Sequence, residues 1–505
     1  MPPTLRAPFF HLIAAALLCA PVWALPVFLT QDGPAHVYDA KLLVENLDPS
    51  HIAVHEHYIP ELGRTSNWVC QVLIAVFQKA VGYDAAERIV ICLGMTLTAW
   101  GLAFWSRRTH RGFHPAEVLG YLFGYSFIAL VGLYNFMIGL GLSFFAVGWW
   151  WTRRRNMRPL DWVQLTVLAA ILHVTHLIAL AFLASAVAVQ FASDLRSGRR
   201  SGSIPSAVFL SLCAVSAVAF LGVGAGPSLD FKPISEWLIY ASQAGYLDTF
   251  SRAGARGMFF TCWLIAVVMG VTVSWTASPR QEDEGREGRT LLVLLAVIWT
   301  GAFLAAPWGY GQDGRYFSSM VNERIPLIFT ALWALAIDRS DRVWKAVSSA
   351  ALGVLVVWQT AVAVVEMQRI QPQIAEFLSG MKALEPNSVF RLEARRLDHL
   401  DAAPSHRSDL EVFGKLIFRY GLAAEDLVCT GVKGHRVDAA WPHHFLIRKP
   451  RPKADYVLVW NSKARARDLE RSGHELVFHE RRLRVYQSLE PVDIILENIQ
   501  NKTKL

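Results

Sequence analysis

Long apolar runs joined by short basic links fill the first two thirds of the chain. Residues 9–29 form a 21-residue apolar run, which as a helix rising about 1.5 Å per residue spans roughly the 30 Å of a bilayer core. Comparable runs follow at 85–106, 115–132, 135–152, 160–174, 176–193, 204–224, 257–276, 290–307, 324–338 and 343–364. Together they predict about 11 membrane-spanning helices. Residues 67–82, "NWVCQVLIAVFQKAVG", are short for a span and carry Gln71, Gln78 and Lys79. They predict an interfacial or re-entrant helix instead. The first run also holds a signal-peptidase-like "VWA" at 22–24, but its length, with Pro21 and Pro26 inside it, favours a retained span.

Beyond residue 365 the pattern changes to charged sequence with strand-like segments: "SVFRLE" (388–393), "ADYVLVW" (454–460), "ELVFHE" (475–480) and "RLRVYQ" (482–487). A helix is expected over 370–384. The predicted fold is an α-helical polytopic membrane protein with a small C-terminal α/β domain outside the membrane. Residues 1–365 are the transmembrane domain, with a first outer loop at 30–66 and the interfacial helix at 67–82. Residues 366–505 are the soluble domain.

Charge sets the expected orientation. Arginines and lysines cluster in the links at 107–111, 153–158, 196–200, 280–289 and 339–345, which the positive-inside bias places in the cytoplasm. The N-terminus is then cytoplasmic. Residues 30–66, "GLYNF" (132–136), "HVTH" (173–176), 225–256 and "PWGYGQDGRYFSSMVNER" (307–324) face outward, and the C-terminal domain with them. The composition, 53% hydrophobic and 18% charged, agrees with a membrane protein. The net charge of +8 follows from the link arginines and predicts no nucleic-acid partner. Six scattered cysteines form neither a disulfide framework nor metal-ligand spacing. "RQEDEGREG" (280–288) and "HEHY" (55–58) read as solvated loops.

The stretch "FLTQDGPAHVYDAKLL" (28–43) follows the first run directly. Asp32 is a good N-cap, Pro34 falls in the first turn, and Asp48-Pro49 ends the helix. Val37, Ala40, Val44 and Leu47 form one apolar stripe, which predicts an amphipathic helix on the membrane surface. A cap explains Asp32 but not His36 one turn on.

A first span followed by a loop that opens on an acidic residue and runs through juxtamembrane helices resembles the GT-C glycosyltransferases. "LGRTSNWVCQVLIAVFQKAVGYDAAERIVICL" (62–93), with its G-x-D-x-A-x-R-like step, and the terminal soluble domain agree with the resemblance. "DGPAH" and "GLYNFMIGLGL" (132–142) resemble a bacterial group within that superfamily. The resemblance covers about residues 9–364. It implies a multi-pass enzyme of the inner (plasma) membrane, moving a hexosyl or pentosyl group. The donor is a polyprenyl-phosphate sugar and the acceptor an extracytoplasmic glycan, lipid or protein. Many members carry two adjacent acids in this loop; here Gly33 follows Asp32 and the next acid is Asp39. A divalent metal takes several oxygen ligands, so no cofactor or metal site is assigned.

Such a transfer needs a base for the acceptor hydroxyl and cations for the leaving phosphate. Asp32 is the candidate base and His36 its companion. On the outer connections, Arg324, Arg315 and Lys232 are the candidate phosphate-binding cations, with Arg324 at the start of a span where a lipid phosphate lies. Their alternative is snorkelling, or pairing with Asp313 and Glu323. Tyr316 completes the set beside Arg315. His173 and His176, three apart, share a helix face if one helix carries both; they are either packed histidines or substrate contacts. Asn135 is either the polar turn of a hairpin or a sugar ligand. Gly132, Gly139 and Gly141 read as packing positions. A transporter or flippase and a non-catalytic envelope assembly protein are the competing functions. A transporter predicts repeat symmetry, and no repeat is visible.

Overall fold

The computed structural model describes residues 3–60, 66–110, 112–199, 203–221, 228–231, 233–242, 283–307, 309–312, 315–318, 321–337, 342–394, 417–422, 428–433, 445–447, 454–460 and 462–488. The chain divides into two compact units. The first holds Met1–Ala24, Gly63–Cys70 and Arg88–Glu366; the second holds Leu25–Leu62, Gln71–Glu87 and Met367–Leu505.

The polytopic helical architecture is present. In the first unit α1 is Pro3–Ala24. In the second, α2 is Gly33–Glu45, α3 is Ile52–His57 and β1 is Tyr58–Pro60. Helices α4 (Val69–Val81) and α5 (Tyr83–Thr109) each begin in one unit and continue in the other. The first unit continues with α6 (Ala116–Leu122), α7 (Phe127–Val131), α8 (Tyr134–Trp151), α9 (Pro159–Thr175), α10 (Leu177–Arg196) and α11 (Ser203–Leu221). It ends with α12 (Ile234–Ser242), α13 (Asp283–Ala305), α14 (Val321–Ala336) and most of α15 (Arg342–Leu378). The expected span at 257–276 lies outside the described residues.

Two expectations about these helices fail. The run 115–132 is not one span: it breaks into α6, a 3-10 turn and α7, because Ser126 is extended (ψ 160°) and caps α7 through the Ala129 amide. Almost every residue from Ala116 to Val131 is buried, so this broken segment lies inside the unit. The loop 280–288 is not wholly solvated either. Asp283 starts α13, and Glu287 pairs with Arg155 at 2.6 Å and Arg199 at 3.2 Å.

Glycine lets backbones approach where lipid offers no hydrophobic drive. A Cβ on Gly148 of α8 would lie 2.8 Å from the Trp105 Cα of α5, and one on Gly120 of α6 would lie 2.8 Å from the Ala99 Cα. A Cβ on Gly141 would meet Thr98 at 2.6 Å, and one on Gly139 would touch Thr175, His176 and Ala179 at 3.1–3.3 Å. Gly132 ends α7 with φ 87°.

Polar side chains join the helices elsewhere. Asn322 donates to the Phe303 and Ala306 carbonyls (2.8 and 2.7 Å) at the end of α13. His110 and His114 stack 4.0 Å apart and each reaches a carbonyl at the end of α14, Leu335 and Ile337, both at 2.9 Å. Helix ends leave such carbonyls unpaired. Arg88 does the same for α1, donating to Val22 and Trp23 carbonyls at 3.0 and 3.3 Å. The apolar run 9–29 includes His11, which is buried between Glu117 (3.0 Å), Arg107 (2.7 Å) and Tyr121 (2.7 Å).

Three strands gather two of the connections assigned to one side of the membrane. In β2 (Ser228–Asp230), β3 (Gly309–Gln312) and β4 (Arg315–Ser318), β3 lies between the other two, antiparallel to both. The loop at 225–256 thus meets the loop at 307–324.

In the second unit the tail folds as a five-stranded sheet with strand order β6-β5-β8-β10-β9. Its strands are β5 (Val389–Ala394), β6 (Val428–Lys433), β8 (Tyr456–Trp460), β9 (His474–Glu480) and β10 (Leu483–Ser488). β5 pairs parallel with β6 and β8, while β10 pairs antiparallel with β8 and β9. Helix α16 (Lys463–Arg471) links β8 to β9. β8 is buried throughout, as expected for a central strand. A further strand, β7 (Phe445–Ile447), pairs with β1.

The "GYDAAER" stretch anchors this unit. Arg419, nearly buried, bonds the carboxylates of Asp84 and Glu87, and its segment packs on α2. "HEHY" is not a solvated loop: it forms the end of α3 and the start of β1, with His57 and Tyr58 buried. Tyr58 donates to the Cys429 carbonyl, and the Cys429 amide donates to the Tyr38 hydroxyl at 3.0 Å. Burial, and then each phenol's neighbours, push both tyrosines well above the usual phenol range. They act as neutral hydrogen-bonding groups.

Gly141→Val is expected to lower the unfolding temperature in detergent, because overpacking a close helix crossing costs about 1–3 kcal/mol or more. Gly301→Ala, where a Cβ meets nothing within 4 Å, is expected to raise it, by up to ~1 kcal/mol. Scanning fluorimetry on both variants checks the pair. Arg419→Met is expected to cost about 3–5 kcal/mol by stranding buried Glu87. Urea or heat titration of purified protein reads it, with Arg419→Lys recovering part.

Candidate functional site

The expected site residues divide between the units. Asp32 and His36 lie in the second; Asn135, His173, His176 and Arg324 lie in the first.

Asp32 occupies the N-cap position of α2, but with helical dihedrals (φ −92°, ψ −12°) and no side-chain cap hydrogen bond. The sequence reading missed the residue that does serve the helix start. Thr30 Oγ1 accepts the Gly33 amide at 3.1 Å. Asp32 is nonetheless buried, 7% exposed. A carboxylate held there carries a desolvation cost unless it is paired.

The helix also departs from the expected surface amphipath. Every residue from Gly33 to Leu42 is buried, including His36, Asp39 and Lys41. Lys41 pairs with Glu45 one turn on, at 2.8 Å, and both are nearly inaccessible. Such a pair offsets its own desolvation only when intact. His36 Nδ1 lies 3.0 Å from Gln71 Nε2. The amide is a donor, so Nδ1 accepts and the neutral ring carries its proton on Nε2. Gln71, one of the polar residues that made 67–82 look non-spanning, thus sets the orientation of His36. Helix α4 itself has 13 residues, or about 20 Å of rise.

In the first unit, residues 67–70 meet the links at 132–136 and 173–176. The Trp68 amide donates to the Val174 carbonyl at 3.2 Å. Asn135, the second residue of α8, accepts from the Cys70 amide at 2.8 Å and donates to the Asn67 carbonyl at 2.7 Å. It therefore clamps residues 67–70, where Asn67 takes φ 68°. This corrects the hairpin-turn reading, since Gly132 makes the turn. It also leaves a sugar-ligand role without support, because the amide is committed on both sides.

His173 and His176 do not share a helix face. Helix α9 ends at Thr175, and His176 is extended (φ −169°, ψ 125°) in the link to α10. Thr175 and His176 pack against Gly139, and the His176 ring meets Phe136 edge-on at 5.1 Å. His173 instead turns to the Ser216 hydroxyl of α11. His176 Nδ1 accepts the Ile178 amide at 3.2 Å, capping α10, while its Nε2 lies 3.1 Å from an Arg324 guanidinium nitrogen. A neutral imidazole has one lone-pair nitrogen, so these two donors compete for it.

Arg324 belongs to a buried polar turn, Asn322-Glu323-Arg324, that opens α14. Its 8% exposure argues against a snorkelling arginine. Arg315 and Tyr316 lie on β4 opposite Gln312 and Gly311; their side chains, and all of Lys232, lie outside the described residues. Among the described residues no three His, Cys, Asp or Glu side chains converge as metal ligands.

No family model and no curated protein matches the chain. Solved structures do. The chain superposes on ArnT from Cupriavidus metallidurans bound to undecaprenyl phosphate with a TM-score of 0.54 and 10% identity, covering 95% of this chain and 97% of that one. Against the same protein in its apo state the TM-score is 0.52, with 11% identity and coverage of 95% and 98%.

Asn135→Ala is expected to destabilise the protein by about 1–3 kcal/mol, because it strands buried backbone groups. Thermal unfolding and accelerated hydrogen exchange at residues 67–70 check it. Over nearly its whole length, then, this chain has the fold of the ArnT structures.

Proposed function

We propose that the protein is a membrane glycosyltransferase that takes a sugar from a polyprenyl-phosphate donor and places it on an acceptor outside the cytoplasm. The observation that carries this reading is the fold, matched over 95% of the chain to a protein whose structure holds undecaprenyl phosphate.

The roles are assigned from charge and from place along the chain. Asp32 is the general base: it accepts the proton of the acceptor hydroxyl as that oxygen attacks the anomeric carbon. The bond from that carbon to the phosphate oxygen breaks, and its electron pair leaves with the lipid phosphate. Its buried place at the start of α2, directly after the first apolar run, supports the role of Asp32. His36, held by Gln71, is its companion as a neutral N–H donor. Arg324 receives the leaving phosphate. Its guanidinium now shares a neutral ring with the Ile178 amide, and an oxyanion is a stronger acceptor than that ring. The N-terminal end of α14 adds positive potential. Arg315, Tyr316 and Lys232 are assigned to substrate binding from their loops.

Asp32→Asn is expected to lower transfer by at least about 10²-fold at unchanged abundance. Mass spectrometry of envelope lipids and glycans, with and without the gene and with the variant, reads the product. Unchanged transfer removes Asp32 from the chemistry, and lost abundance alone makes it structural. Arg324→Gln is expected to cost about 1.5–3 kcal/mol of donor binding or transition-state stabilisation. Arg324→Lys restores the charge but not the forked geometry, and so recovers only part.

A further inference from the structure

At the other end of α8, about 27 Å from Asn135 by helix rise, the link "TRRRNMR" (152–158) borders a cavity of about 180 Å³ among α8, α9, α10 and α11. Arg154, Arg155 and Asn156 line one side and Ser203 and Ser206 another, so the cavity is rich in donors. Asp194 is the lining carboxylate, and Gln190 holds it at 2.9 Å. Gln190 also accepts from Arg154 Nε at 3.2 Å. Glu287 fixes Arg155 at 2.6 Å and reaches Arg199 at 3.2 Å. Two guanidiniums and one carboxylate thus line the cavity, and each guanidinium is already oriented by a neighbour.

The remaining wall is apolar. Trp150, Trp162, Val187 and Phe191 line it. The outer faces of α9 and α11 beyond it are exposed and greasy, with Val163, Val208 and Leu212 more than half exposed. Trp149 and Trp151 lie under the Arg153 and Arg154 guanidiniums at 4.7 and 4.4 Å. Tryptophans stacked with arginines at the end of apolar helices mark the headgroup level of a bilayer.

We infer that this cavity binds the phosphate of an anionic membrane phospholipid, with the acyl chains running along α9 and α11. Donors, net positive lining and an apolar flank at headgroup depth select a phosphodiester that carries a lipid tail. The site is separate from the proposed transfer chemistry and does not depend on it.

Native mass spectrometry of the full chain, titrated from detergent with equal phosphatidylglycerol and phosphatidylcholine, tests the inference. One phosphatidylglycerol is expected to be retained with a preference of roughly tenfold. Arg154→Gln/Arg155→Gln should abolish that preference. Ser206→Trp fills the cavity without changing its charge and should do the same, which keeps the test decisive if the double variant fails to fold. A preference that survives Ser206→Trp overturns the site. Inorganic phosphate that binds the wild type as tightly as the lipid overturns the lipid assignment.

Discussion

A polar group inside a membrane helix bundle has no water to bond, so it must find its partner on another segment. That requirement organises the first unit. Helix α14 shows it at both ends: Asn322 closes the carbonyls of α13, and His110 and His114 close those of α14 itself. Asn135 ties the start of α4 to α8, and His176 joins the α9–α10 link to α14. Each bond crosses between helices or their links, so each fixes a helix position that apolar packing alone leaves free to slide.

Glycine supplies the complementary term. Gly120, Gly141 and Gly148 bring α5, α6 and α8 to backbone contact, where dispersion between well-fitted surfaces replaces the hydrophobic effect. Close backbones and paired polar groups together leave few degrees of freedom where these helices cross.

The second unit solves a different problem. Helix α2 buries His36, Asp39, Lys41 and Glu45 in little over three turns. Ionisable groups kept from water at such density cost stability unless paired, and Lys41–Glu45 and Arg419 with its two carboxylates show the pairing.

Apolar length and period-two alternation are local signals, and they predicted most of the described helices, the change of texture near residue 365 and four strands of the terminal sheet; the run 115–132 broke at Ser126, and 257–276 lies outside the described residues. In the folded chain β2 meets β3, Trp68 meets Val174, and Asn135 meets Asn67 and Cys70. The long-range partners were decided only by the tertiary structure. Asp32 looked like a cap, since N-capping preference is a statistic of residue type; the actual acceptor for the Gly33 amide, Thr30, depends on one backbone turn. The stripe along α2 looked like a membrane surface because periodicity counts apolar positions and cannot see what covers the polar ones. His173 and His176 parted because the helix broke at a residue whose extended backbone no spacing rule encodes. What a side chain bonds to is set by which segments fold against it, from three residues away for Thr30 to 225 for His110, and that information exists only once the chain has folded.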